Sequence, residues 1–312
     1  MLSFYLTDRE GRERPLDSVL TAVLDGDIGV PADSLTVTCP FDGGVRENAD
    51  RIRACDGERV VFDGQLDTVT TEKRAEGIIL KLSARSAAAG LLDGEAEPVT
   101  YSSPSDRLIA LRHLAPFGIR AVNQSDAACR EPLQIVKGMS HWQVLQAYCR
   151  NRYGCEPRVT GDGRAFLRGE PEEGEVLFAD TGGGVRYYAL RESRRRHCLL
   201  SEIRLKYEQS GAYGGVIKNT DPEAALMNRV RYVNAAADKT TVVTAEKMLA
   251  NSNRDSLSLL LRCGGRHTDA LGRRASVEDS LLGSFRGLLV RQVRYTADSR
   301  GERSVITLIK EK

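Results

Sequence analysis

No stretch of this chain approaches the ~20 consecutive apolar residues that a membrane span requires. The N-terminus, Met1 to Arg9, carries neither a basic leader nor an apolar core, so neither an anchor nor a secretory signal is expected. An excess of charge is missing as well. Forty-five Lys and Arg against 43 Asp and Glu leave a formal +2, which exerts no overall pull toward nucleic acid. Aromatic residues are only 6%, with a single tryptophan. Seven cysteines, an odd number at irregular spacing, do not form a disulfide framework and point to reduced thiols and folding in a cytoplasm. At 312 residues the chain exceeds the length at which single cores usually divide, so two or three domains are expected.

Catalytic groupings are equally scarce. His141, Cys149 and Cys155 are spaced eight and six residues apart, unlike the short ligand pairs of a zinc site. His197 and Cys198 are adjacent; in a strand they would point to opposite faces and could not act as base and nucleophile. Thr181-Gly182-Gly183-Gly184 lacks the lysine and following hydroxyl of a phosphate-cradling loop and reads as an interdomain linker. Asp93, Glu95 and Glu97 lie together on a loop, where neighbouring carboxylates are a weak sign of acid–base work. Neither an enzyme nor a cofactor or metal site is indicated. The local cationic run of Arg186, Arg191, Arg194, Arg195, Arg196, Arg204 and Lys206 has no aromatic platform within its Arg194–Arg196 triplet and reads as a solvated strand edge.

What the chain does have is alternation. Leu2, Phe4 and Leu6, and Leu35, Val37, Cys39 and Phe41, have the period of half-buried strands. Val60 to Leu82 reads as a hairpin about the charged turn Glu72-Lys73-Arg74-Ala75-Glu76-Gly77, followed by a short helix of small residues, Ala84 to Ala89. Residues 1–101 are thus expected to form a small antiparallel β-barrel. From 102 to 175 the pattern becomes helical: Ser103 precedes Pro104 as a cap, Leu108, Leu111 and Leu114 follow, and Ser140-His141-Trp142-Gln143 is a capping box opening a helix that Gly154 ends. Short strands flank the Gly161-Asp162-Gly163 turn. Residues 176–312 return to β, with strands at Leu199–Tyr207, Arg229–Val233 and Leu257–Cys263, a loop at Gln209–Gly215, and a helix capped by Thr244 and extending over about 244–252. Arg266 to Ser284 is poorly patterned and reads as an exposed loop.

One spacing recurs. Leu66-x2-Val69-x7-Gly77 reappears as Val290-x2-Val293-x7-Gly301, with Gly64 and Gly287 near the start of the two first arms. This predicts two related barrels flanking the α+β insertion.

Two resemblances follow from these motifs. Ile135 to Leu145, including Lys137, Gly138, Ser140 and Trp142, resembles the opening of a LysM module, although Glu156–Arg168 carries a strand pair where that fold has its second helix. A LysM-like segment over about 133–168 would imply glycan contacts at those four residues and a peptidoglycan-binding role as the alternative function. The whole chain, through Ala84–Tyr101 with its Glu95-Ala96-Glu97-Pro98-Val99-Thr100-Tyr101 ending, Lys137–Trp142 and Arg229–Val233, resembles the baseplate hub proteins of contractile phage tails. These comprise Mu-like tail proteins, the XkdQ type, the late-control-D family and, distantly, the base of type VI secretion spikes. The resemblance implies a homotrimer in which two tube-like barrels per chain give six positions. Such a ring joins a tail tube protein to a spike protein, with the tape-measure protein and DNA passing through its lumen without specific binding. It also implies a place in the virion tail, assembled in a bacterial cytoplasm. Ring or tube contacts are expected at Glu72, Lys73, Arg74, Glu76, Asp93, Glu95 and Glu97.

Overall fold

The structure, a computed structural model, describes residues 1–169, 172–207, 212–235 and 239–311. It is mainly β with an α+β segment, and it divides by packing into two units. The first comprises Met1–Glu172, Gly264–Leu271 and Gln292–Val305; the second comprises Glu173–Cys263, Gly272–Arg291 and Ile306–Lys312.

In the first unit the expected alternation produces the sheet. Strands Thr21–Asp27, Ser34–Pro40, Gly77–Ser86, Arg59–Arg74, Ala49–Asp56, Ser3–Asp8 and Glu13–Pro15 are hydrogen-bonded in that order. The end of Gly283–Asp298 pairs antiparallel with the first of them, from Gln292↔Asp27 to Ala297↔Ala22. Leu2, Phe4, Leu6, Leu35, Val37, Cys39, Phe62, Leu80 and Leu82 fill the core. On the opposite flank the Met1 ammonium lies 3.3 Å from Glu302. The helix expected at Ala84–Ala89 begins later. The strand continues through Ser86 because Leu82, Ala84 and Ser86 keep the buried phase, and a 3₁₀ turn (Ala87–Ala89) then leads into Gly90–Asp93.

The α+β segment has its own hydrophobic cluster, built from Ala88, Leu91, Ile109, Leu114, Val144, Leu145, Tyr148 and their neighbours. The capping box forms as expected: Ser140 Oγ accepts the Gln143 N–H at 3.3 Å, and the Ser140 N–H reaches Gln143 Oε1 at 2.8 Å. Helix His141–Tyr153 ends at Gly154 with φ +65°. Ser140→Ala should cost this segment about 1 kcal/mol, the usual value of such a cap, read as a shift in its urea midpoint. The earlier cap is Ser105 rather than Ser103. Ser105 Oγ accepts the Leu108 N–H at 3.2 Å, so Pro104 precedes the cap instead of following it. The residue after it, Asp106, is fully buried. Its carboxylate accepts Tyr148 Oη–H at 2.7 Å, Tyr153 Oη–H at 2.8 and 2.7 Å and the Ser125 N–H at 2.8 Å, with Arg152 Nε 3.4 Å away. Strands Arg158–Val159 and Arg164–Phe166 pair antiparallel about the glycine turn, as expected, and the latter also pairs in parallel with Arg120–Val122.

In the second unit, Arg273–Asp279, Glu172–Ala179, Val185–Arg194, Leu257–Gly264, Gly301–Lys310 and Gly283–Asp298 are neighbours in that order, and the last also pairs with the first, so the circuit closes. Arg266 to Ser284 is therefore no loop. Buried Ala275 and Val277 alternate within a strand, a pattern that its flanking arginines and acids hide in the sequence. Thr181–Gly184 is not a linker but a turn inside this unit, with φ +79° at Gly182 and +108° at Gly184. A Cβ at Gly184 would meet the Leu177 carbonyl oxygen at 2.7 Å. His197 and Cys198 lie in a 3₁₀ turn (Arg196–Cys198), so the strand geometry expected for them does not apply. Strands Glu202–Tyr207 and Val230–Ala235 leave the main sheet. With Gly215–Lys218 they form a separate three-stranded sheet whose Ile203 and Leu205 pack on Ala245 and Leu249. That helix, Lys239–Ser256, starts before Thr244, which lies within it and is not its cap. Of the loop expected at Gln209–Gly215, residues 209–211 lie outside the described residues.

The recurring spacing marks matching hairpins. Arg59–Arg74 and Gly283–Asp298 are both 16 residues long, and Gly77–Ser86 and Gly301–Lys310 are both 10. In each, two residues intervene before a glycine of positive φ, +142° at Gly77 and +98° at Gly301. The return arms share their buried phase, with Leu80, Leu82 and Ala84 standing where the second has Ser304, Ile306 and Leu308.

Candidate assembly surface

The first hairpin presents its charged turn to solvent. A β-branched run, Val69-Thr70-Thr71, keeps the arm extended beyond the core. The ladder continues through Thr70↔Lys81, Glu72↔Ile79 and Arg74↔Gly77. Glu72, Lys73, Arg74 and Glu76 are all exposed. Arg74 holds Glu72 through two bonds of 2.9 and 2.8 Å, which keeps the Glu72 carboxyl below its usual range. Phe41 and Ile78, joined by a 3.1 Å backbone bond, expose apolar side chains beside this turn. The tip thus carries charged and apolar side chains together.

At the other end of the return arm, eight residues and about 27 Å away at strand rise, Arg85 holds two carboxylates. It bonds Asp67 at 2.8 and 3.0 Å and Asp93 at 2.8 and 3.2 Å. Asp93 is therefore tied back to the hairpin, its pKa lowered first by the Arg85 hydrogen bonds. Beside this clamp lies a polar cleft of about 420 Å³ with Arg51, Asp63, Phe117 and Asp162 on its walls. The chain then zigzags past buried Ala96, leaving Glu95 and Glu97 exposed on either side. The Ala96 N–H donates to Met139 O at 2.8 Å, the Ile135 N–H to Val99 O at 2.8 Å, and Glu95 bridges to Ser140. The structure thereby brings the stretch about Glu95 to Glu97 against Met139 and Ser140, keeps Asp93 on Arg85, and leaves the Glu72–Glu76 turn as a second surface.

Of the residues expected to touch a glycan, Lys137 is exposed and Gly138 makes the turn with φ +90°. Ser140 is engaged in its helix cap, and half-buried Trp142 packs on the segment's core.

A histidine pair went unseen in the sequence, because its members lie 28 residues apart with no shared motif. His113 Nδ1 and His141 Nδ1 are 3.0 Å apart, Tyr101 Oη is 3.3 Å from His113 Nε2, and the Phe117 ring meets His141 edge-on. One Nδ1 must donate and the other accept, so at least one of the two rings is neutral and the pair cannot carry two charges while the bond is made. Burial, then the facing His141 and neighbouring Arg112, push His113 down to about 4; burial lowers His141 as well. Because the folded pKa lies below the unfolded one, this contribution to stability is intact above pH ~6.5 and is lost as pH falls toward 4. Between pH 7 and pH 4 the segment should lose about 2–3 kcal/mol through His113. His113→Gln should flatten that slope in urea titrations followed by tryptophan fluorescence.

Among the described residues no group of three or more His, Cys, Asp or Glu side chains is arranged to hold a metal.

In sequence, neither a protein-family profile nor a curated protein matches the chain. Solved structures do. A tail protein from Neisseria meningitidis MC58 aligns over 99% of this chain and 96% of its own, with a TM-score of 0.76 at 17% identity. The 43 kDa tail protein of prophage MuSo2 from Shewanella oneidensis aligns over 100% and 98%, with a TM-score of 0.78 at 14% identity. An Escherichia coli type VI secretion component, described as structurally similar to the T4 bacteriophage tail proteins gp27 and gp5, aligns over 98% and 77%, with a TM-score of 0.53 at 12% identity. The resemblance read from the sequence holds at the level of architecture: from end to end, this chain has the fold of prophage tail proteins.

Proposed function

We propose that the protein is a structural component of a contractile-tail baseplate, a hub whose copies form a homotrimeric ring. The observation that carries this reading is the alignment of essentially the whole chain with whole tail proteins, one of them from a prophage. The matched hairpins, equal in both arm lengths, support a doubled module within each chain. Three chains with two modules each supply six like positions. A closed ring presents one patch per repeat, so such a ring meets a sixfold tail tube protein on one side and a threefold spike protein on the other. On this reading the Glu72–Glu76 turn and the Asp93–Glu97 loop lie at ring or tube contacts, and the tape-measure protein and DNA pass through the lumen. The chain acts in the virion tail or a tail-like particle without catalysing a reaction.

The test is mass in solution. Light scattering across a concentration series should give three copies per particle at the upper end, and a chain that stays monomeric throughout would overturn the ring. A pulldown on purified peptidoglycan should give no saturable binding; saturation would favour the glycan reading instead.

A further inference from the structure

In the second unit, the turn between Arg273–Asp279 and Gly283–Asp298 carries two leucines into solvent. Leu281 is 92% exposed and Leu282 52%. Such residues usually sit on mobile loops, but this turn is braced. Asp279 Oδ1 accepts the Leu281 and Leu282 N–H groups at 2.9 and 2.8 Å, and Tyr187 Oη–H holds the other Asp279 oxygen at 2.7 Å. Asp180 Oδ2 accepts the Ser280 N–H at 3.0 Å and its hydroxyl as well. Fixing an apolar tip in advance removes the ordering cost of binding, as expected of an anchor that enters a partner. Its base is acidic, through Asp180, Glu278 and Asp279.

The same unit carries a surface of the opposite character. In the three-stranded sheet, Val216, Arg204 and Tyr232 stand in one cross-strand row, on the face turned away from Ile203 and Leu205. Tyr213 meets Tyr232 edge-on at 5.0 Å, and Lys206 lies over the Tyr213 ring. Val216 is 48% and Tyr232 58% exposed, and Lys218 adds a further cation. This is an aromatic and aliphatic platform rimmed by positive charge. Of the cationic run read from the sequence, Arg204, which also pairs with Glu202 at 2.7 Å, and Lys206 stand beside this platform, whose aromatic rings come from residues distant in the chain.

We propose that the Leu281–Leu282 tip of one copy of this chain docks on the Tyr213–Tyr232 sheet face of the next. The apolar tip meets the apolar platform, and the acidic base meets its cationic rim. Two different patches of one chain then meet, so the contact is heterologous and propagates around a ring. The proposal rests on the ring reading above and supplies one of its interfaces.

The experiment compares self-association of the full chain, by sedimentation equilibrium, for wild type, Leu281→Asp and Tyr232→Asp. Each substitution should weaken association about thirtyfold or more, the loss typical of a buried anchor. Both side chains are exposed, and circular dichroism checks that each variant folds. Independently, a benzophenone amino acid at position 281 should, on irradiation, yield a covalent dimer whose linked peptide lies within residues 212–235. Association unchanged in both variants, or a dimer linked elsewhere, overturns this contact, assigns the tip to another partner and leaves the ring standing. A wild type that never associates overturns both.

Discussion

Asp106→Leu is expected to remove about 4 kcal/mol from the α+β segment, the scale observed when one member of a buried charged network is deleted. The carboxylate is fully buried and joins three parts of the sequence. Ser125 lies on the loop after the first helical turns, Tyr148 on the face of the second helix, and Tyr153 and Arg152 at its last turn. Leucine would leave two phenol hydroxyls and an amide without their acceptor, each keeping its desolvation penalty, and would take the counter-charge from Arg152, whose Nε donates to Tyr153 Oη. Asp106→Asn, which retains one acceptor oxygen, should lose roughly half as much. The single tryptophan, Trp142, packs on this segment's cluster and is a built-in reporter. Its urea transition should move down by about 1.3–4 M, given urea slopes of roughly 1–3 kcal/mol/M. A transition unmoved by Asp106→Leu would mean that the network contributes nothing to stability.

The second large effect is expected at Gly64. Its ladder partner is Ser86, and a Cβ there would sit 2.2 Å from the Arg85 carbonyl oxygen and 2.7 Å from the Phe62 ring. The ring can move, but the carbonyl belongs to the neighbouring strand and cannot yield without breaking the pairing. Gly64→Ala should therefore destabilise the first unit by about 3 kcal/mol or more, at the upper end of overpacking penalties. Opening this pairing would also release Arg85 from Asp67 and Asp93. Amide exchange along Gly77–Ser86 should accelerate more than exchange in the Ser140-capped helix, and equal acceleration in both would contradict a local origin.

The sequence disclosed elements whose burial follows a simple period or whose ends carry their own chemistry. The hairpins, the strand at Leu257–Gly264 and the Ser140 helix are of that kind. Its failures have physical causes. The strand at Arg273–Asp279 buries only Ala275 and Val277, both small, and arginines and acids mask their alternation. Thr244 looked like a cap because it precedes an apolar run, yet the helix was already under way. Asp106 read as one more first-turn acid, and its burial became visible only when partners 19 to 47 residues away converged on it. The candidate surface was half legible. The acidic loop stood out, but that it lies against Met139 and Ser140 follows from backbone bonds no spacing announces.

The closing hairpin divides its residues between both packing units, since Gln292–Val305 belong to the first and Ile306–Lys312 to the second. Gln292 bonds Asp25 across a separation of 267 residues. On the ribosome, then, neither core can be completed before the final strand has emerged, and the early strands must wait with one flank unpaired. Loss of Gly301–Lys310 alone would leave both units unfinished, because each takes part of that strand into its own packing.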